Sequence, residues 1–354
     1  MTDLNEFLKK LLTLPGLSGF EDPVRAAIAE EWKPLVDEIT VSPVGSLHAL
    51  RRGSGPEPRP RVLLAAHMDA IGLMVTGIEA GLLHVTQIGG VDPRILPGTP
   101  VLVHGRRELP AMVAAPADHL LPPSQAGKPV ALENLVVDTG LLPEEVESLV
   151  RVGDLVSFNT QPVELTGGVI AGHSLDNRAS VAAVTECLKA LQRMNTAWDV
   201  WAVATVQEEV TMAGALTSPF DLRPQIALVV DVTFAKGPGA SDYRAYELDK
   251  GPTLGIGPDI HPALFNTFKA LAEELDLAYA VEPMPSHSGT DAYGIQVVAE
   301  GVPCMVLGIP LRYMHTPVEA VALKDISRTG WMMAQYIARM GPDFMEKIRM
   351  EEAE

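Results

Sequence analysis

Four near-continuous apolar runs constrain this chain more than any other feature. They extend from Arg61 to Ala66, Val200 to Val206, Ile226 to Val230 and Cys304 to Ile309. Short runs without polar alternation are typical of strands covered on both faces, because neither side meets water. Helical spacing fills much of the chain around them. Val181, Val184, Leu188 and Leu191 share one helical face, and Leu264, Phe268, Leu271 and Leu275 share another. Leu4, Phe7, Leu8, Leu11 and Leu12 mark a first helix, with Asp3 and Glu6 as a capping box and Pro15-Gly16 as the stop. A second helix starts with Pro23 in its first turn and buries Val24, Ala27, Ile28 and Trp32, and a helix after Leu323 closes the chain. This pattern predicts an α/β sheet flanked by helices.

The texture changes between residues 70 and 165. Short β-rich pieces such as Leu82-Leu83-His84-Val85 and Val101-Leu102-Val103 are separated by Gly-Gly, Pro-Gly and Pro-Pro, with one short helix near Pro143 to Val150. Many short strands at close spacing predict a small barrel or sandwich. The expected organisation is a discontinuous α/β domain, residues 1–69 and 166–354, interrupted by an all-β, barrel-like insertion at 70–165.

Lys plus Arg number 27 against 45 for Asp plus Glu, a net charge of −18 over 354 residues. That balance argues against a nucleic-acid partner, which needs a basic surface to meet phosphate. Repulsion between acidic copies still permits association through an apolar patch. No apolar run approaches the ~18 to 20 residues that span a bilayer, and the first residues lack a basic segment and an apolar core, so neither a membrane partner nor a signal peptide is expected. Cys187 and Cys304 lie far apart inside apolar stretches, as expected of reduced core residues in a cytoplasmic protein.

Each of the four runs is followed, at once or within a few residues, by histidine or acid: His67 and Asp69, Glu208 and Glu209, Asp231, and His315. An open α/β sheet binds ligands beyond the carboxyl ends of its strands, where residues distant in sequence converge. Two histidines with several carboxylates form the mixed nitrogen and oxygen set that suits zinc, cobalt or manganese. A lone histidine is usually a packing or surface residue, and His48, His84, His104, His119 and His261 keep that reading. His67 differs because Asp69, two residues on, can hold a metal-bound imidazole in one orientation. His315 precedes Thr316-Pro317, which turns the chain sharply. Asp176 precedes a helix beginning near Asn177; its motif alone favours a helix cap, while its two oxygens could also bridge two cations. Asp231 ends an apolar strand, where an unpaired charge is costly and a cation relieves it. Glu208 and Glu209 would repel if buried together; a metal on one frees the other as a general base, whereas two solvated glutamates at a strand end remain the alternative.

Taken together, Ala66-His67-Met68-Asp69, Ser174-Leu175-Asp176-Asn177-Arg178, Gln207-Glu208-Glu209-Val210, Asp231-Val232-Thr233, Ser288-Gly289-Thr290-Asp291-Ala292 and Arg312-Tyr313-Met314-His315-Thr316-Pro317-Val318-Glu319 resemble the motif series of the M42 metallo-aminopeptidases. That family includes glutamyl aminopeptidases and the tetrahedral TET peptidases. The resemblance runs along nearly the whole chain. It implies a zinc-peptidase-type α/β domain with a barrel-like insertion used in oligomer contacts, and dimers that build a dodecamer. It implies two divalent ions, zinc or cobalt, with Asp176 bridging, His67 and Asp231 completing one site, and Glu209 and His315 completing the other. Glu208 would be the general base and Asp69 the partner of His67, with peptides as substrates. Two departures stand out: Ala70 follows Asp69 where the family has Glu, and Thr211-Met212-Ala213-Gly214-Ala215 replaces a Gly-x-Arg-Gly-Ala segment. The rivals are a metal-dependent amidase or deacylase of acylated amino acids, a glycoside hydrolase, and a non-catalytic assembly protein with a relic site.

Overall fold

A computed structural model of the chain describes residues 2–117, 119, 128–240 and 242–348. The apolar runs become neighbouring parallel strands. Arg61–His67 lies between Asp199–Thr205 and Ile226–Phe234, and Ile226–Phe234 is followed by Cys304–Arg312. They are buried along almost their whole length because helices cover both faces. Antiparallel strands extend the sheet on either side. Leu47–Arg51 and Glu38–Val41 lie beyond Asp199–Thr205, while Glu319–Ala322, Val169–Gly172 and Val163–Leu165 lie beyond Cys304–Arg312. Thr253–Ile256 also pairs with Cys304–Arg312 and carries Ala280–Pro283 outside it, completing eleven strands.

The helix Leu175–Leu191 lies inside the molecule and packs against Leu323–Arg339. Gly330 permits that approach, since a Cβ there would collide with the Ala183 carbonyl oxygen. Trp32, at the end of the helix Asp22–Trp32, is fully buried and donates its indole N–H to Thr185 Oγ1 at 2.8 Å, tying that helix to the same core. Asp3 caps Leu4–Leu12 by accepting the Asn5 N–H. The expected reciprocal bond from Glu6 does not occur among the described residues, so the first turn has a simple cap rather than a capping box.

Six strands close a separate barrel in the order Gly72–Glu79, Leu82–Ile88, Val136–Asp138, Glu108–Ala114, Pro100–His104, Leu155–Phe158. Leu73, Val75, Leu83, Val103, Val113 and Val156 belong to its own apolar core, and a helix, Pro143–Leu149, buries Val146 against it. The chain thus has the mixed α/β fold with a barrel that its pattern predicted. Within the stretch 70–165, the last strand, Val163–Leu165, pairs into the large sheet. No helix among the described residues is long and apolar enough to cross a membrane. Cys187 and Cys304 are buried and unpaired.

Candidate metal centre

Parallel pairing sets the positions of the candidate residues. His67 is the last residue of its strand, opposite Thr205 on the neighbouring strand. Beyond Thr205 the chain turns at Gln207 (φ 59°), whose carbonyl accepts the Thr211 and Met212 N–H groups, and this turn presents Glu208 and Glu209 beside His67. Asp231 does not end its strand as expected. Pairing with Cys304–Arg312 continues through Phe234, and Asp231 sits inside the ladder opposite Gly308. Asp176 does not cap the helix: regular helix begins after Asn177, and among the described residues no backbone N–H of that helix donates to the Asp176 carboxylate. Its side chain instead faces the two histidines.

The distances define one connected group. His67 Nε2 lies 3.3 Å from Asp176 Oδ1, 3.8 Å from Glu208 Oε2 and 3.9 Å from Asp231 Oδ1. His315 Nε2 lies 3.3 Å from Asp176 Oδ2 and 3.5 Å from Glu209 Oε1. Each oxygen of Asp176 therefore faces a different imidazole. Ligand atoms held ~2.1 Å from one tetrahedral cation stand about 3.4 Å apart. Most of these separations are close to that value and longer than good hydrogen bonds, so the donor set fits cations between its members. Ligand atoms of His67, Asp176 and Glu209 can all lie within 4.8 Å of one another.

Asp69, fully buried, sits behind this group. Its Oδ1 lies 3.3 Å from His67 Nδ1 and accepts the Glu208 N–H at 3.1 Å; its Oδ2 accepts the Ser18 hydroxyl at 2.6 Å and the Glu209 N–H at 3.3 Å. One carboxylate thereby orients an imidazole and both glutamates. Glu319 has a matching part on the other side. It accepts the Asp176 N–H at 3.1 Å and the His315 N–H at 2.9 Å. Asp291, also buried, accepts the Thr205 hydroxyl at 2.5 Å, and its negative charge acts on Glu208 and Asp231. Sequence reasoning quoted Asp291 and Glu319 within motifs but assigned them no part. The available signal was a charged residue at the head of an apolar strand, Glu319-Ala-Val-Ala322, and of a helix, Asp291–Ile295.

The electrostatics are those of crowded carboxylates. Burial pushes Glu208 up to about 8, with Asp291 and Glu209 adding to it against the pull of His67. Burial and then Asp176 bring Glu209 to about 7, and burial drives Asp231 well above the usual range. Asp176 goes the other way, because His315 and His67 outweigh its burial. Pairing with Asp176 raises His315 to about 9. Burial alone would lower His67, but Asp176 and Asp69 raise it well above its ordinary value. Protons thus stay on groups that divalent cations would deprotonate.

The group lines a cleft of about 430 Å³ that continues past Asp231. The barrel reaches its edge: a Cβ on Gly90 would lie 2.7 Å from His315 Nδ1. Of the two sequence departures, Met212 forms part of the cleft wall, whereas Ala70 is buried in a bridge to Leu17.

A model of the M42 glutamyl aminopeptidase family matches residues 45–332. The lysyl aminopeptidase of Pyrococcus furiosus is 35% identical over 331 residues, 92% of this chain and 94% of that protein. The TET aminopeptidase of a marine-sediment Thaumarchaeota archaeon superposes with a TM-score of 0.92 at 30% identity, covering 98% of this chain and 99% of that one. The Pyrococcus horikoshii TET1 peptidase, which can assemble into a tetrahedron or a large octahedral shell, superposes with a TM-score of 0.83 at 29% identity, covering 96% and 100%. The chain belongs to the M42 glutamyl aminopeptidase family and is an aminopeptidase.

Proposed function

We propose that this enzyme removes N-terminal residues from peptides at a two-metal centre in which Glu208 moves the proton. One observation carries the reading: the two oxygens of Asp176 each lie 3.3 Å from a different histidine. His67 and Asp231 would hold one divalent cation, His315 and Glu209 the other, with Asp176 shared between them. Zinc and cobalt suit this donor set. When bound, such a pair supplies Lewis acidity to the scissile carbonyl and lowers the pKa of a water.

The rest falls to the protein's own side chains. Glu208 is outside both proposed ligand sets, and its Oε2 lies 3.8 Å from His67 Nε2, beside the place where the cations would sit and a proton carrier is needed. It takes a proton from the attacking water and returns one to the departing amine. Asp69 keeps His67 Nε2 turned into the cleft and, through the two backbone N–H groups, aims Glu208 and Glu209. Glu319 fixes the backbones that carry Asp176 and His315.

We assign the insertion, residues 70–165, to contacts between copies in a dimer-based dodecamer, a reading supported by the dodecamer and the larger shell of related TET1 peptidases. Peptides of the cytoplasm are the proposed substrates, in keeping with two buried, unpaired cysteines. The test is Glu208→Gln assayed on aminoacyl and N-acetylated chromogenic substrates. The variant is expected to retain both metals and lose at least ~100-fold in kcat. The wild type is expected to require a free amine. Undiminished turnover in the variant discards the role of Glu208, and a preference for acylated substrates makes the enzyme a deacylase.

A further inference from the structure

The cleft holds a fifth carboxylate that the reaction does not use. Glu282, on the strand Ala280–Pro283, lines the same hollow as the metal-site residues. Its place follows from strand pairing. Asp231 is opposite Gly308, and Gly308 is opposite Thr253 on its other side. Thr253–Ile256 then pairs with Ala280–Pro283. A Cβ on Gly308 would lie 2.9 Å from Glu282 Oε2 and 3.0 Å from Thr233 Cγ2. The carboxylate therefore rests over the bare backbone of Gly308, one strand spacing of ~4.8 Å beyond Asp231.

Two hydroxyls hold it there. Thr233 Oγ1 donates to Oε1 at 2.6 Å and Thr253 Oγ1 donates to Oε2 at 2.5 Å. Each oxygen keeps a further lone pair for a ligand. Among the described residues no lysine, arginine or histidine forms an ion pair with Glu282. Arg244, which lines an adjoining hollow with Glu282, instead places its guanidinium 4.9 Å from the Tyr243 ring centre.

The lack of a cationic partner makes this group stand out. Burial pushes the Glu282 carboxyl above its ordinary value against the two threonine hydroxyls, and a cationic group entering the cleft is what would favour its charged form. Met284, Val306 and Phe234 supply apolar wall to the cleft that the metal group and this carboxylate share. An aliphatic stem ending in a charge, as in lysine, fits such a wall.

We propose that Glu282 selects peptides whose first residue carries a cationic side chain, lysine or arginine, and disfavours acidic first residues. This rests on the aminopeptidase reading and names the substrate class of the same site. It is tested on the metal-loaded enzyme with lysyl, norleucyl and glutamyl p-nitroanilides, norleucine being an uncharged match for the lysine stem. The wild type is expected to favour lysyl over norleucyl by about 10- to 100-fold in kcat/KM, the worth of a charge-assisted bond, with glutamyl below both. In Glu282→Gln the lysyl-to-norleucyl ratio is expected to fall to near one. A wild-type ratio near one overturns the proposal. So does a variant that keeps the wild-type ratio while both rates fall together, since that is the signature of a purely structural Glu282. Calorimetric binding of L-lysine against L-norleucine separates this proposal from the function it rests on. A protein that hydrolyses none of the anilides yet prefers L-lysine refutes peptidase action and keeps the selectivity, and one that shows neither refutes both.

Discussion

Asp69→Asn tests how the centre is built. The carboxylate meets four polar groups: the Ser18 hydroxyl, the Glu208 and Glu209 N–H groups, and His67 Nδ1. Asparagine keeps one oxygen and replaces the other with an amino group. With the amino group at the Oδ2 position, Ser18 can rotate to accept, but the Glu209 N–H loses its acceptor. With the amino group at the Oδ1 position, the Glu208 N–H is stranded and His67 Nδ1 must accept. That tautomer puts the ring proton on Nε2, the atom facing Asp176. Either way one buried donor goes unpaired, at about 1 to 3 kcal/mol. Metal affinity should also fall about 10- to 100-fold, the usual effect of losing the group that orients a ligand histidine. Urea unfolding of the metal-free protein reads the first quantity, and calorimetric metal titration of the same sample reads the second. Ser18→Ala is the control, removing one bond worth about 1 kcal/mol and leaving the imidazole partner in place. Wild-type stability together with wild-type metal affinity in Asp69→Asn would refute the reasoning.

Two further outcomes follow from the same geometry. In metal-free protein, Glu208 is raised to about 8 and His315 to about 9, so between the ordinary histidine range, below which the depressed His173, His48, His104 and His261 act in the opposite sense, and pH ~9 the native state binds more protons than the unfolded one. Its stability should therefore fall as pH rises through that window, while the contributions of the depressed Asp176 and Asp69 are already in place above the ordinary aspartate pKa. Metal affinity should rise over the same window because binding releases those protons, and denaturant titrations with and without metal check both slopes. Gly90→Ala should displace the His315 ring, because the added Cβ would lie 2.7 Å from Nδ1 and 3.0 Å from Cε1. Metal analysis should then find the ion held by His315 and Glu209 weakened first; an unchanged metal count and affinity would show that the barrel edge does not support the centre.

The parts of the fold that were legible from sequence are those where one physical pressure acts alone. Strands buried on both faces, such as Arg61–His67 and Ile226–Phe234, carry apolar runs that nothing else explains. The outer strands were not legible. Glu38–Val41 is mostly exposed and Val163–Leu165 fully so, and their residues follow a pairing partner rather than a buried face. The end of the strand carrying Asp231 was misjudged because a charge inside a central ladder looks like its terminus; pairing to Leu311 continues the ladder regardless. By its local motif alone Asp176 read as a cap, and only the resemblance of the whole motif series marked it as a ligand, because what draws its side chain elsewhere is two histidines far away in the chain. Glu319, Glu282 and Gly90 escaped for a related reason. Their contacts are set by strand register and by the docking of the barrel, which short-range spacing does not encode.

The account's central claim is a shared carboxylate between two cations. Native mass spectrometry of the purified, metal-reconstituted protein tests it most directly, by counting bound ions per chain in the wild type and in Asp176→Asn. Two ions in the wild type, with both sites weakened by that single substitution, is the predicted result. One ion in the wild type, or two that survive the loss of the Asp176 carboxylate at unchanged affinity, would contradict it.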